Sequence, residues 1–203
     1  MRRILAATCL IALPLLAASG ARAADQPTLT PTRDVDITYR VAGPNGTAEQ
    51  RVRWDVAGGR QRIDPPTPGL HIIVDTPTHH LDSIRDAEQL VLELDATVAV
   101  PRPGADPAYA RHGTDTVAGL PCTVWQAGAS EGGAELCFTD DGVLLRITAG
   151  GHVVTEAETV TYGPSNPVDF AIPSGYRRIG AGQTAKKPAA ATPDPAAPKE
   201  SPP

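Results

Sequence analysis

Ala134-Glu135-Leu136-Cys137-Phe138, Thr139-Asp140-Asp141-Gly142-Val143 and Leu144-Leu145-Arg146-Ile147-Thr148-Ala149 run consecutively, and their reading decides the fold. Apolar residues recur with period two on both sides of an Asp-Gly dipeptide, which is the pattern of a β-hairpin. A two-residue Asp141-Gly142 loop sets Phe138 against Leu145, Leu136 against Ile147 and Ala134 against Ala149. One face is then wholly apolar. The other sets Glu135, Cys137 and Thr139 against Leu144, Arg146 and Thr148. A slip of one residue would mix the faces, so the register is well specified.

The same period extends outward from the hairpin. Gly150-Gly151 turns the chain into a strand over His152 to Tyr162, where an imperfect pattern implies a bulge. Pro121 to Ala127 is the strand before the hairpin. Val35, Ile37, Tyr39 and Val41 alternate with polar residues. Across Ala42-Gly43-Pro44-Asn45-Gly46 they are answered by Ala48, Gln50, Val52, Trp54 and Val56. Ala57-Gly58-Gly59 turns again. Leu70 to Asp75 and Leu90 to Asp95 are strands, and His80 to Ile84 pairs with the latter. Two stretches admit a helix: Asp106 to Arg111, and Ser83 to Glu93, where the helix competes with the strand reading. The expected fold is therefore mainly β: a single curved antiparallel sheet, a half-open barrel with little helix.

Both ends of the chain read as lying outside this fold. Arg2 and Arg3 precede an apolar run from Ile4 to Ala18, and Ala21-Arg22-Ala23 offers small residues to a signal peptidase. Residues 1–23 read as a secretory signal; the run is shorter than the roughly 20 residues of a membrane span. Cleavage leaves 15 basic and 23 acidic side chains, a net charge of -8. Residues 24–33 are expected to be a flexible lead-in and 34–180 the β domain. Residues 181–203 hold seven Ala, six Pro and all three lysines, with no large apolar side chain, and are expected to be a disordered tail. The mature chain is expected to lack a transmembrane segment and to be periplasmic or secreted.

The full chain of 203 residues carries 18 basic and 23 acidic side chains, which excludes a nucleic-acid protein held by overall positive charge. Aromatics are 4% of residues, while 19 Gly and 21 Pro make the core small and turn-rich. Cleavage also removes Cys9. Cys122 and Cys137 remain, and two cysteines in an exported chain read as one disulfide.

No motif for chemistry stands out. Gly128-Ala129-Ser130-Glu131-Gly132 matches the serine-hydrolase string but sits in a small polar loop rather than on a strand-to-helix elbow. His79 and His80, near Asp75 and Asp82, are adjacent, and neighbours on a strand point to opposite faces. Asn45-Gly46-Thr47 is a glycosylation sequon and also a hairpin turn; the turn reading is taken. No catalytic residue, metal ligand or cofactor is expected.

Gly119-Leu120-Pro121-Cys122-Thr123-Val124-Trp125, then Cys137-Phe138-Thr139-Asp140-Asp141-Gly142-Val143, then Pro173-Ser174-Gly175-Tyr176 occur in that order. This set resembles a group of uncharacterised exported bacterial proteins. The resemblance covers Asp34 to Arg178 and implies the half barrel of the lipoprotein-localisation carriers, a curved antiparallel sheet with a helix on its concave side. The chain departs from the carriers in its disulfide, its Pro-rich tail and its weak helix signal. The functional expectation is a non-catalytic envelope protein holding a hydrophobic ligand or lipid, with Trp54 and Trp125 as ligand-lining residues. The alternative is a structural or interaction module that docks another envelope protein through a sheet edge or the tail.

Truncation after Gly180 is expected to leave the melting temperature within error, because the tail has no large apolar surface to bury. Thermal denaturation of the full and truncated chains checks this; a drop of several degrees would show the tail packing on the sheet.

Overall fold

The period-two segments become strands. The computed structural model describes residues 26–96, 109–128 and 133–180. The signal sequence, the tail and Ser130 of the hydrolase string lie outside those residues. The strands are β1 (Val35–Gly43), β2 (Gly46–Asp55), β3 (Arg60–Asp64), β4 (Leu70–Asp75), β5 (His80–Arg85) and β6 (Leu90–Asp95). They continue with β7 (Tyr109–Val117), β8 (Leu120–Ala127), β9 (Ala134–Phe138), β10 (Leu144–Ala149), β11 (His152–Tyr162) and β12 (Arg177–Gly180). All belong to one open, curved sheet in the order β12-β6-β5-β4-β3-β2-β1-β11-β10-β9-β8-β7. Every pairing is antiparallel except β12 with β6, which is parallel.

Several expectations are refined. Ser83 to Glu93 is β5, a turn and β6, not a helix, and residues 109–111 of the other helix candidate open β7. β3 was not expected: Ile63 is the one aliphatic residue in Arg60-Gln61-Arg62-Ile63-Asp64. In the deciding hairpin, Leu136 does face Ile147, and Cys137 faces Arg146. Nearer the turn the register slips, and Phe138 faces Leu144 instead of Leu145. The loop is therefore wider than two residues: the Thr139 N–H donates to the Val143 carbonyl, and Gly142 N–H donates back to Thr139 O. Gly142 has φ +88°, and a Cβ there would overlap the Thr30 carbonyl oxygen, so only glycine fits. β10 and β11 shift register between Ile147 and Thr148, which is the bulge read from the sequence.

The disulfide links Cys122 of β8 to Cys137 of β9 and is buried. It belongs to one buried cluster with Val143 and Leu145, which extends to Val35, Ile37, Tyr39 and Val52. Around it the sheet is curled. Arg146 of β10 pairs with Asp115 of β7, although β8 and β9 lie between. Three strand spacings would hold those backbones about 14 Å apart in a flat sheet, beyond the reach of the pair. β7 also curls back to touch β11.

Registered pairing sorts the side chains by face. One face carries Val35, Ile37 and Tyr39, with Trp54 and Val52 opposite Val35 and Ile37. It continues along one row through Ile63, Ile72 and Ser83 to Leu92, and along another through Gln61, Val74 and Leu81 to Leu94. The other face carries ion pairs: Arg51–Asp36, Arg40–Glu156, Arg53–Asp64 and Arg62–Asp64. The segment from β11 to β12 crosses this charged face. A 3-10 turn at Pro167–Phe170, capped by the Asn166 side chain, buries Phe170. Arg53 grips the Asp169 carboxylate at 2.8 Å, and Arg62 donates to its carbonyl. Ile172 and Tyr176 then cover Ile73, Ile84 and Val91.

Asp82 lies on the covered face between Ile73 and Glu93 and is 6% exposed, and its Oδ1 has no hydrogen-bond partner. Burial pushes its carboxyl above the usual range, with Glu93 and Asp75 acting in the same direction and Arg178 and His80 opposing. A raised folded-state pKa makes the ionised form a cost at neutral pH, which disappears once the carboxyl is protonated in both folded and unfolded chains. Asp82→Asn is expected to gain about 1 kcal/mol at pH 7, or about 3 °C in melting temperature. Melting curves at pH 7 and pH 3 check this; the gain should be absent at pH 3.

Candidate functional site

The N-terminal edge of the domain borders a cleft. Thr32 N–H donates to the Asp141 carbonyl, and the Arg33 Nε donates to the Asp141 carboxylate at 2.7 Å. Thus the last residues of the segment expected to be flexible are tied to the deciding hairpin. The Arg33 guanidinium lies 3.6 Å above the Tyr162 ring. Tyr162 OH donates to Asp141 Oδ1 at 3.1 Å, and the Thr139 hydroxyl donates to the same atom. Burial pushes the Asp141 carboxyl up, but the Thr139, Arg33 and Tyr162 donors outweigh it and hold the pKa low. Asp34 is held low by two backbone N–H groups, first Ser165 and then Val56.

Beside this knot opens a cleft of about 560 Å3, bounded by Arg33, Arg111, Thr114, Thr123, Asp141 and Tyr162. The disulfide's Cys122 forms part of its wall. The volume falls within the range of small-ligand sites. Arg111 stacks over the Trp125 indole at 5.1 Å.

The sequence-selected tryptophans share a face but not a cavity. Register carries Trp125 through Leu136, Ile147 and Thr155 to Val41, on the Tyr39 side of β1. Trp54 meets Val35 on that same side. Four strands separate β2 from β8, however. Trp125 is only 4% exposed. Trp54 is half-buried and borders a second cavity of about 170 Å3 with Val35, Arg53, Asp169 and Phe170. Trp54 packs against the buried cluster that holds Val35, Ile37, Tyr39 and the disulfide, and Trp125 is not part of that cluster.

His79 sits in a turn with φ +55°, and His80 opens β5; both are exposed. Among the described residues no group of three His, Cys, Asp or Glu is placed to hold a metal. Pro44-Asn45 forms the β1–β2 turn. Sequence reasoning missed the cleft. Arg33 lay in the supposed lead-in and Arg111 at the end of a supposed helix, so neither was placed near Tyr162 or Thr123.

No protein-family model matches the chain, and no curated protein matches it in sequence. Solved structures share its fold. An uncharacterized conserved protein from Thermus thermophilus aligns with a TM-score of 0.54 at 10% identity, over 73% of this chain and 91% of that one. The complex structure of Pseudomonas aeruginosa MucA/MucB contains a chain that aligns at 0.53 and 15% identity, over 73% of this chain and 59% of that one. PNGF-II aligns at 0.50 and 10% identity, but this chain spans only 32% of it. At these identities the likeness is one of fold. Among the described residues no helix is long and apolar enough to cross a membrane.

Asp141→Asn is expected to cost about 1–2 kcal/mol at pH 7, since it weakens hydrogen bonds made to a charged group. A depressed carboxylate stabilises the fold above its unfolded pKa, and that stabilisation is lost as pH falls through the folded value. Urea denaturation of both proteins at pH 7 and pH 3 checks this; the difference should shrink on acidification.

Proposed function

We propose that the chain is an exported, non-catalytic cell-envelope protein that holds a hydrophobic ligand or lipid against the face carrying Trp54 and Trp125. The observation that carries this reading is the sorting of side chains by register. One face is mainly apolar from β6 to β1, interrupted by Gln61 and Ser83 and buried at Val35, Ile37 and Val52, and the other is an ion-pair lattice crossed by the 163–176 segment. On the first face Ile63, Ile72, Leu81 and Leu92 are only half-buried, and Leu94 is exposed. The signal-like leader supports an envelope location. The half-barrel resemblance supports a binding role rather than catalysis.

A second reading has its own support. The MucA/MucB structure with the same fold is a complex of two proteins. In this chain the outer edge of β7 has no strand paired to it among the described residues, so a partner could add a strand there. A bulge between Arg111 and Gly113 interrupts that edge, which weighs against simple strand addition.

Titration with fatty acid or phospholipid should change tryptophan fluorescence saturably. Trp54→Ala should remove most of the change, because Trp54 is the more exposed indole. If neither indole responds to any lipid, the protein-partner reading replaces the ligand reading.

A further inference from the structure

Among the described residues, arginine pairing is nearly complete. All but two of the arginines reach a carboxylate or, for Arg111, an indole. The exceptions are Arg85 of β5 and Arg177 of β12. Both are exposed, and among the described residues neither side chain makes an ion pair or a hydrogen bond. The acids of the adjoining β5–β6 turn are Asp86 and Glu88. Asp86 accepts from Tyr176 and lies 3.8 Å from His71, on the face that the 163–176 segment crosses. Glu88 is exposed and pairs with neither arginine.

Register sets the two arginines side by side on the other face. Each is paired with Leu90 of β6, one from either flank. Two strand spacings put their Cα atoms about 10 Å apart. Arg178 ties to Glu93 on the crossed face, so its neighbour Arg177 points to the apolar one. Leu92 and Ile179, two residues on from Leu90 and Arg177, lie on the same side and are half-buried. From Leu92 the row runs through Ser83 and Ile72 to Ile63, all half-buried. From β6 to β2 is four strand spacings, about 19 Å, the scale of a long acyl chain. An edge arginine discourages strand addition, which would account for Arg177. β5 is an interior strand, so Arg85 has no such role.

We infer that Arg85 and Arg177 together bind the oxyanion head, a carboxylate or phosphate, of a single-chain amphiphile. Its acyl chain lies along Leu92, Ile72 and Ile63 toward Trp54 of β2. Two guanidinium forks match the oxygens of such a head, and apolar surface begins beside them. This rests on the ligand-binding reading above and names the chemistry and position of the head group.

The test titrates the mature chain, disulfide intact, by calorimetry at pH 8 below micelle-forming concentrations. Oleate is compared with methyl oleate, and dodecyl phosphate with dodecanol. Each anion is expected to bind at least about tenfold more tightly than its neutral partner, the ratio that one charge-assisted hydrogen bond supplies. The larger ratio shows whether carboxylate or phosphate is preferred. Inorganic phosphate at the same concentration is expected not to bind. The double variant Arg85→Gln, Arg177→Gln should bring the anions to the affinity of the neutral probes and leave the neutral probes unchanged. Both side chains are exposed and unpaired, so this variant should keep its melting temperature. Arg40→Gln removes a charge from the ion-paired face and should keep the anion preference; loss of the preference there would show a general charge effect and overturn the inference. Equal binding of anionic and neutral probes, a preference that survives in the double variant, or binding of inorganic phosphate alone would each overturn it too. Those outcomes leave the apolar-ligand reading intact. Failure of all four amphiphiles to bind would overturn both.

Discussion

The structure depends on the alternation of side chains across registered strand pairs. β1 is the reference: Val35, Ile37 and Tyr39 point one way, and Asp36, Thr38 and Arg40 the other. A slip of one residue anywhere between β2 and β11 would drive arginines toward Val52 and Val160. The ion pairs act against such a slip. Arg51–Asp36, Arg40–Glu156 and Arg146–Asp115 each join different strands and exist in one register only. Exposed pairs of this kind contribute about 0–1 kcal/mol each to stability. Their larger effect is to fix which face is apolar.

Two features complete that assignment. The crossing segment seals part of the charged face, held by Arg53 and Arg62 on Asp169 and by Ile172 and Tyr176 over the Ile73 cluster. The disulfide then ties the curled β8–β9 end together and shapes the wall of the cleft. On the proposed reading a ligand lies against the face of Trp54 and Trp125. The fold relatives agree in architecture, and the chemistry comes from this chain's own residues.

Much of the fold was legible because its strands alternate cleanly. β4, β6 and β11 coincide with the segments read from the sequence, and the Leu136–Ile147 register and the disulfide are as expected. β3 escaped because Arg62 and Asp64, although partly buried, are paired with each other and with Arg53, so burial left no apolar trace in the sequence. β12 escaped because a parallel edge strand owes its place to tertiary docking beside β6, not to a neighbouring turn. The cleft was illegible for a related reason: Arg33, Arg111, Thr123 and Tyr162 are far apart in sequence and meet only through the curl. Alternation assigns each tryptophan a side of its own strand, but strand order, which sets four strands between them, cannot be read from periodicity.

The central claim is that the apolar face is a binding surface. Native mass spectrometry of protein released from the cell envelope without detergent tests it most directly. The account predicts a population heavier than the disulfide-bonded mature chain by the mass of one amphiphile, and extraction with organic solvent should return it to the bare mass. A single species at the bare mass in every preparation, with no lipid in the extract, would contradict it.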